Sequence, residues 1–329
     1  MPPYRDERVD SSDSKIIRWL KLDQFEPERA VSSYFVSSKT LFMIRIPLVL
    51  YSAIVMWADI IYSIQRNEID HYFAYFTRFT FIGLHAYLVT TFCHHYRYLR
   101  CQPKHPASFL NQSSILNYLY VFLYHTIVTY NILTPTVYWA LLSGVILNDE
   151  QATSVDWWVA VSLHGSTFLM MITEVIMSRM IIYKRMVVVV FCTVLTYMVL
   201  TFIIYASEKW WVYSFLDWSQ GASCSIWYIA VAVSVILCFF LQLGIHALRE
   251  KIGAKCHVVD DDETIMPTPS EEEKAYGIDK LKGSDDDSHL GQSPHPHQDE
   301  KRYYSQTLVE SSLASHITLG ASSTDHLAV

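Results

Sequence analysis

Met186 to Ser207 reads MVVVVFCTVLTYMVLTFIIYAS, 22 residues without one charged side chain. A helix of that length spans about 30 Å, and outside a closed barrel only a helix satisfies its own backbone hydrogen bonds in lipid. Five further apolar stretches flank it: Leu41 to Ile64, Phe73 to Tyr96, Ile115 to Leu147 (long, with Pro135 inside), Trp157 to Met177, and Ile226 to Leu248. The sequence therefore predicts an all-α fold, a polytopic membrane bundle of six transmembrane helices.

The loops orient that bundle. Lys15, Arg18, Lys21, Arg29 and Lys39 precede the first span, and Arg97, Arg100 and Lys104 lie between spans two and three. Arg179, Lys184 and Arg185 separate spans four and five, and Arg249, Lys251 and Lys255 follow span six. The opposite loops carry only Arg66 and Lys209. Cation-rich loops stay in the cytosol, so both termini are expected there, as an even number of spans requires. The sequon Asn111-Gln112-Ser113 then faces the cytosol and is expected to carry no glycan. The plasma membrane is favoured over the endoplasmic reticulum.

A net charge of −7 with 17% charged residues suggests a soluble protein, but the acidic residues sit mostly after Lys251. Three regions follow: residues 1–40 as a cytosolic arm, 41–252 as the bundle, and 253–329 as an acidic tail too polar to fold and expected to be disordered. The first 38 residues are polar and charged, so the first span is expected to serve as the insertion signal. In the arm, Ser14 to Phe25 (SKIIRWLKLDQF) interleaves Ile16, Ile17, Trp19, Leu20 and Phe25 with Lys15, Arg18 and Lys21. That pattern fits either a short helix on the cytosolic leaflet or a loosely ordered arm. In the tail, Ser270 before Glu271-Glu272-Glu273 and Ser284 before Asp285-Asp286-Asp287 suit acid-directed phosphorylation. Leu327-Ala328-Val329 suits strand addition to a cytosolic PDZ-type partner. Six cysteines show no framework spacing, so no disulfide is expected. Cys101 and Cys256 are either acylated or free thiols. Membrane lipids are the expected partners. No zinc-ligand spacing or phosphate-binding loop stands out, and no metal, cofactor or nucleic acid is expected.

Polar groups inside apolar spans are costly to keep, which makes them the functional candidates. Thr80 lies seven residues into span two and His164 seven residues into span four, both counted from the outer face. That is about 10 Å of helix in each case. Asp59, near the outer end of span one, comes level with Arg78 of span two, and the short connection between these spans lets the two side chains pair. Glu174 sits nearer the cytosolic end of span four. Eight of nine tryptophans also fall in the outer half or its loops. An interfacial belt explains part of that, but belts occupy both faces. Each candidate has a plainer role. A membrane threonine commonly bonds back to a carbonyl one turn earlier, an intramembrane histidine is often a packing residue, and Asp59 with Arg78 can be purely structural. His94-His95, at the cytosolic end of span two, is expected to be a solvated pair.

Several segments together resemble the androgen-induced protein family of multipass membrane threonine hydrolases. They are Arg78-Phe79-Thr80-Phe81-Ile82, His164-Gly165-Ser166-Thr167 with Glu174 ten residues after the histidine, and Trp211-Val212-Tyr213-Ser214-Phe215-Leu216-Asp217. Thr136 to Leu142 (TVYWALL) and Phe215-Leu216-Asp217-Trp218 are similar to the related Rolling stone group, linked to cell fusion. The resemblance runs from about Arg45 to Gly253. Gly83 stands where the hydrolases carry Asp after T-F-I, and Ser214 stands for Pro. The resemblance implies Thr80 as nucleophile and His164 as general base, acting on fatty acid esters of hydroxy fatty acids. Arg78, Asp59 and Glu174 would then bind substrate or support the site. The alternative is a non-enzymatic, Rolling stone-like protein of adhesion, fusion or scaffolding.

Overall fold

The computed structural model describes residues 6–101 and 112–255, all within one compact unit, Met1–Thr264. Asn111, Cys256, Ser270, Ser284 and Leu327-Ala328-Val329 lie outside the described residues, as does the side chain of Cys101.

Among the described residues the fold is helical throughout. Two short helices, α1 (Lys15–Leu20) and α2 (Glu28–Val31), lead into α3 (Ser38–Gln65) and α4 (Phe76–Cys101). Next, α5 (Ser114–Val137) continues through a widened turn of π type, Tyr138–Leu142, into α6 (Gly144–Leu147). α7 (Ser154–Val161) runs through a second such turn, Ser162–Ser166, into α8 (Thr167–Met177), and α9 (Met186–Glu208) and α10 (Cys224–Gly253) complete the described helices.

Four of these runs are long and apolar enough to cross a membrane: Ser38–Gln65, Ser154–Met177, Met186–Glu208 and Cys224–Gly253. Helices α4 and α5 are as long but too polar to meet that criterion, and their position explains why. Thirteen of the 24 residues of α5 are buried, whereas α9 buries only Met186, Val190 and Thr201. A central helix faces other helices rather than lipid, so it can carry Asn117, Tyr120, Tyr124, His125 and Asn131 at no cost in lipid exposure.

Local chemistry fixes the ends. The Ser37 side chain caps α3 by accepting from the Thr40 amide. Thr153 and Asp156 form a reciprocal capping box at the start of α7. Asp156 also accepts from the Tyr62 hydroxyl at 2.7 Å and from Arg66 at 2.8 Å, tying the end of α3 to the start of α7. The orphan amide of Phe76 at the start of α4 donates to both Tyr197 and Tyr213, each at 3.1 Å. Tyr213 belongs to the W-V-Y-S-F-L segment, so part of that signature serves to cap a helix.

In the arm the expected short helix is present as α1, with Ile16 and Trp19 exposed, and only the loosely ordered alternative is corrected: Val9, Leu20, Leu22, Phe25, Ala30 and Val31 are buried in the core. Arg29 bonds Glu250 of α10 at 3.0 Å, and Arg179 bonds Asp6 at 2.8 Å and the Ser32 hydroxyl at 3.0 Å. Arg249 donates to the carbonyls of Val175 and Met180, closing the end of α8. Three cations that the sequence placed in loops therefore hold the helix ends together.

Candidate functional site

Arg78 and Asp59 pair at 3.3 Å between α4 and α3. The Arg78 guanidinium also donates to the Ser63 hydroxyl at 3.0 Å and lies 4.3 Å from the Tyr72 ring centroid. Burial, and then the neighbouring Asp59 carboxylate, push the Tyr72 phenol well above its ordinary range. One guanidinium nitrogen, Nη1, is buried without a hydrogen-bond partner.

Thr80 is 5% exposed, and its hydroxyl donates to the Thr77 carbonyl at 2.8 Å. This is the local back-bond that membrane helices commonly use. His164 is 8% exposed and lies in the widened turn, its ring stacked on Tyr138 with centroids 3.5 Å apart and planes within 3°. The Trp139 indole donates to the His164 carbonyl at 3.1 Å, so the two widened turns are clamped together. Nδ1 of His164 has no hydrogen-bond partner among the described residues. Thr80 and His164 are thus both buried, but no hydrogen bond joins them. The threonine proton satisfies its own helix, and the imidazole is held by an aromatic face.

Beside both residues opens an apolar cleft of about 110 Å³ between α5, α9 and α10. Its wall includes Thr77, which holds Thr80, and Tyr138, which covers His164, together with Thr134, Met198, Phe215 and Tyr228. Neither Thr80 nor His164 lines it directly.

Glu174 stands apart from this outer group. It accepts from Arg45 of α3 through both Oε1 and Oε2, and from the Tyr87 hydroxyl at 3.1 Å. Arg45 is fully buried; it also donates to the Ala30 carbonyl at 2.8 Å and lies 2.8 Å from His95 Nδ1. Arginine offers only donors, so His95 Nδ1 accepts and its Nε2–H faces the Ser38 hydroxyl at 2.9 Å. Ser38 in turn donates to the Val31 carbonyl at 2.8 Å. The expected solvated His94-His95 pair is thereby corrected, since His95 is fully buried within an ionic network. Sequence reasoning passed over Arg45, although an arginine inside an apolar stretch is the same signal that singled out Asp59. It also passed over His125 and His246. His125 Nδ1 sits 2.7 Å from the Val121 carbonyl and His246 Nδ1 2.7 Å from that of Gln242, which leaves each Nε2 to accept, from the Tyr183 amide and the Tyr124 hydroxyl.

Comparison with protein-family models, curated proteins and solved structures finds no match to this chain.

Proposed function

We propose that the chain is a six-span membrane protein with both termini in the cytosol, and that it hydrolyses lipid esters through Thr80 and His164. Six spans are supported by the lengths of α4 and α5, 26 and 24 residues, and by the burial of Thr80, Thr91, His94 and His95 on α4 and of Asn117, His125 and Asn131 on α5. The observation that carries the hydrolase reading is the cleft. An acyl chain lying against Thr77 and Tyr138 would place its ester one residue layer from the Thr80 hydroxyl and the His164 ring.

The chemistry then follows from the side chains. Thr80 Oγ1 leaves the Thr77 carbonyl by rotation about its side-chain bond, which costs one ordinary hydrogen bond, about 1 kcal/mol. Its proton passes to His164 Nδ1 as Oγ1 adds to the ester carbon. The leaving alcohol takes that proton back, and a water deprotonated by His164 releases the acid and restores Thr80. Arg78, with Nη1 unpartnered, suits a free carboxylate on the substrate.

A non-enzymatic, Rolling stone-like role is favoured by one specific observation, the Thr80 back-bond combined with the Tyr138 cover over His164. A hydroxyl-directed phosphonate probe, applied in proteoliposomes beside a branched fatty acid ester, separates the readings. The hydrolase reading expects labelling and turnover in wild type and neither in Thr80→Ala. Equal behaviour of the two proteins would leave the non-enzymatic reading.

A further inference from the structure

Arg185 immediately precedes α9, a helix long and apolar enough to span a membrane. Val188, three residues on, is 48% exposed on that helix, and three residues of helix rise about 4.5 Å. Arg185 therefore stands where hydrocarbon gives way to headgroups. Its Nη1 donates to the Trp19 carbonyl at 2.9 Å, and its guanidinium lies 5.5 Å from the Trp19 ring centroid. This bond pins α1 at the same level. Leu20 turns inward there, while Ile16 and Trp19 are 69% and 46% exposed.

Lys15, Arg18, Lys21 and Lys184 are exposed around this pair of apolar side chains, and none has an ion-pair partner among the described residues. The nearby carboxylates are Glu7, Asp10, Asp13 and the half-buried Asp23, which accepts from the Ser12 amide, so with Arg185 five cations stand against four anions. Uncompensated cations beside an indole and an isoleucine at a bilayer surface match one chemistry, a phosphate-bearing anionic headgroup above acyl chains. We infer that α1 and the start of α9 bind anionic phospholipid in the leaflet they face. Arg18, Lys184 and Arg185 meet the headgroup, and Trp19 and Ile16 enter the first chain carbons. The inference rests on the membrane reading alone and is independent of hydrolysis and of orientation.

The test uses the full chain in nanodiscs of phosphatidylcholine with one fifth phosphatidylserine, and native mass spectrometry to count the lipids each protein retains. Wild type is expected to retain phosphatidylserine well above its bulk share. Arg18→Glu with Lys184→Glu, side chains with no ion-pair partner among the described residues, is expected to lower that enrichment by roughly tenfold. Lys209→Glu, on the opposite face, should leave it unchanged. Trp19→Ala keeps all five cations and is expected to lower retention of both lipids. Enrichment that survives the double substitution, or falls equally in Lys209→Glu, overturns the inference. So does full competition by soluble glycerophosphoserine, which would mean that the cations read free phosphate rather than a membrane. A thermal melt of each variant establishes folding. If the double variant is unfolded, Arg18→Gln with Lys184→Gln takes its place.

Discussion

Arg45 of α3 and Glu174 of α8 form a salt bridge in which each side chain is 1% exposed. It joins two helices through residues 129 apart in the chain, and Arg45 also reaches the Ala30 carbonyl and His95. Glu174→Gln is expected to destabilise the protein by about 3–5 kcal/mol, because the Arg45 charge stays buried without a counter-charge. Arg45→Met with Glu174→Leu is expected to cost much less than the two single changes added together. Unfolding in mixed micelles measures both, and simple additivity would show that the pair is not coupled.

The outer pair behaves similarly, with a smaller effect. Asp59→Asn leaves the Arg78 guanidinium bonded to Ser63 and stacked on Tyr72, so a loss of about 2–3 kcal/mol is expected. Arg78 is 14% exposed on its side chain, and this access to solvent sets it apart from Arg45. A loss as large as that of Glu174→Gln would contradict the ranking.

The start of α4 offers a redundancy test. Tyr197 and Tyr213 both accept from the Phe76 amide, so Tyr213→Phe alone is expected to cost about 1 kcal/mol. With Tyr197→Phe added, the amide is orphaned and the joint loss should exceed the sum of the two single losses. Tyr197 also donates to the Ala74 carbonyl, so its own single loss is the larger.

Gly253 packs so close to Tyr34 that an added Cβ would collide with its ring atoms. Gly253→Ala is therefore expected to loosen the arm from α10, at about 1–3 kcal/mol. Limited proteolysis should show faster cleavage within residues 6–37, and Tyr34→Ala in the same chain should remove the clash though not the lost ring packing. Unchanged cleavage would mean that the arm accommodates a methyl group there.

A tag at the carboxyl end tests topology. It is expected to become accessible only when the plasma membrane is permeabilised, and access in intact cells would reverse the orientation of every residue named.

The periodicity and length of the apolar stretches made the helices legible, to within a few residues at most ends. Asp59 and Arg78 were legible as a pair because a short connection makes α3 and α4 neighbours. The inner network was not, because Arg45, Glu174, His95 and Ala30 come from four separate elements and the sequence carries no local sign that they meet. The short helix of the arm was legible from Lys15 to Lys21, whereas the burial of Phe25, Ala30 and Val31 was not, because those residues hold no periodic pattern. The widened turn at His164 was equally hidden, since a π-type turn leaves no residue signature in Ser162–Ser166.

The bond from Arg29 to Glu250 spans 221 residues of chain. During synthesis, the segment that seals the inner network is made first, and its partner on α10 emerges last. Until then Arg29 lacks that carboxylate, and Arg45, although the Ala30 carbonyl is already made, is synthesised 129 residues ahead of its counter-charge Glu174. Maturation is the step at which a destabilising substitution in the arm is expected to be felt first, as slower exit from the insertion machinery in addition to a lower melting point.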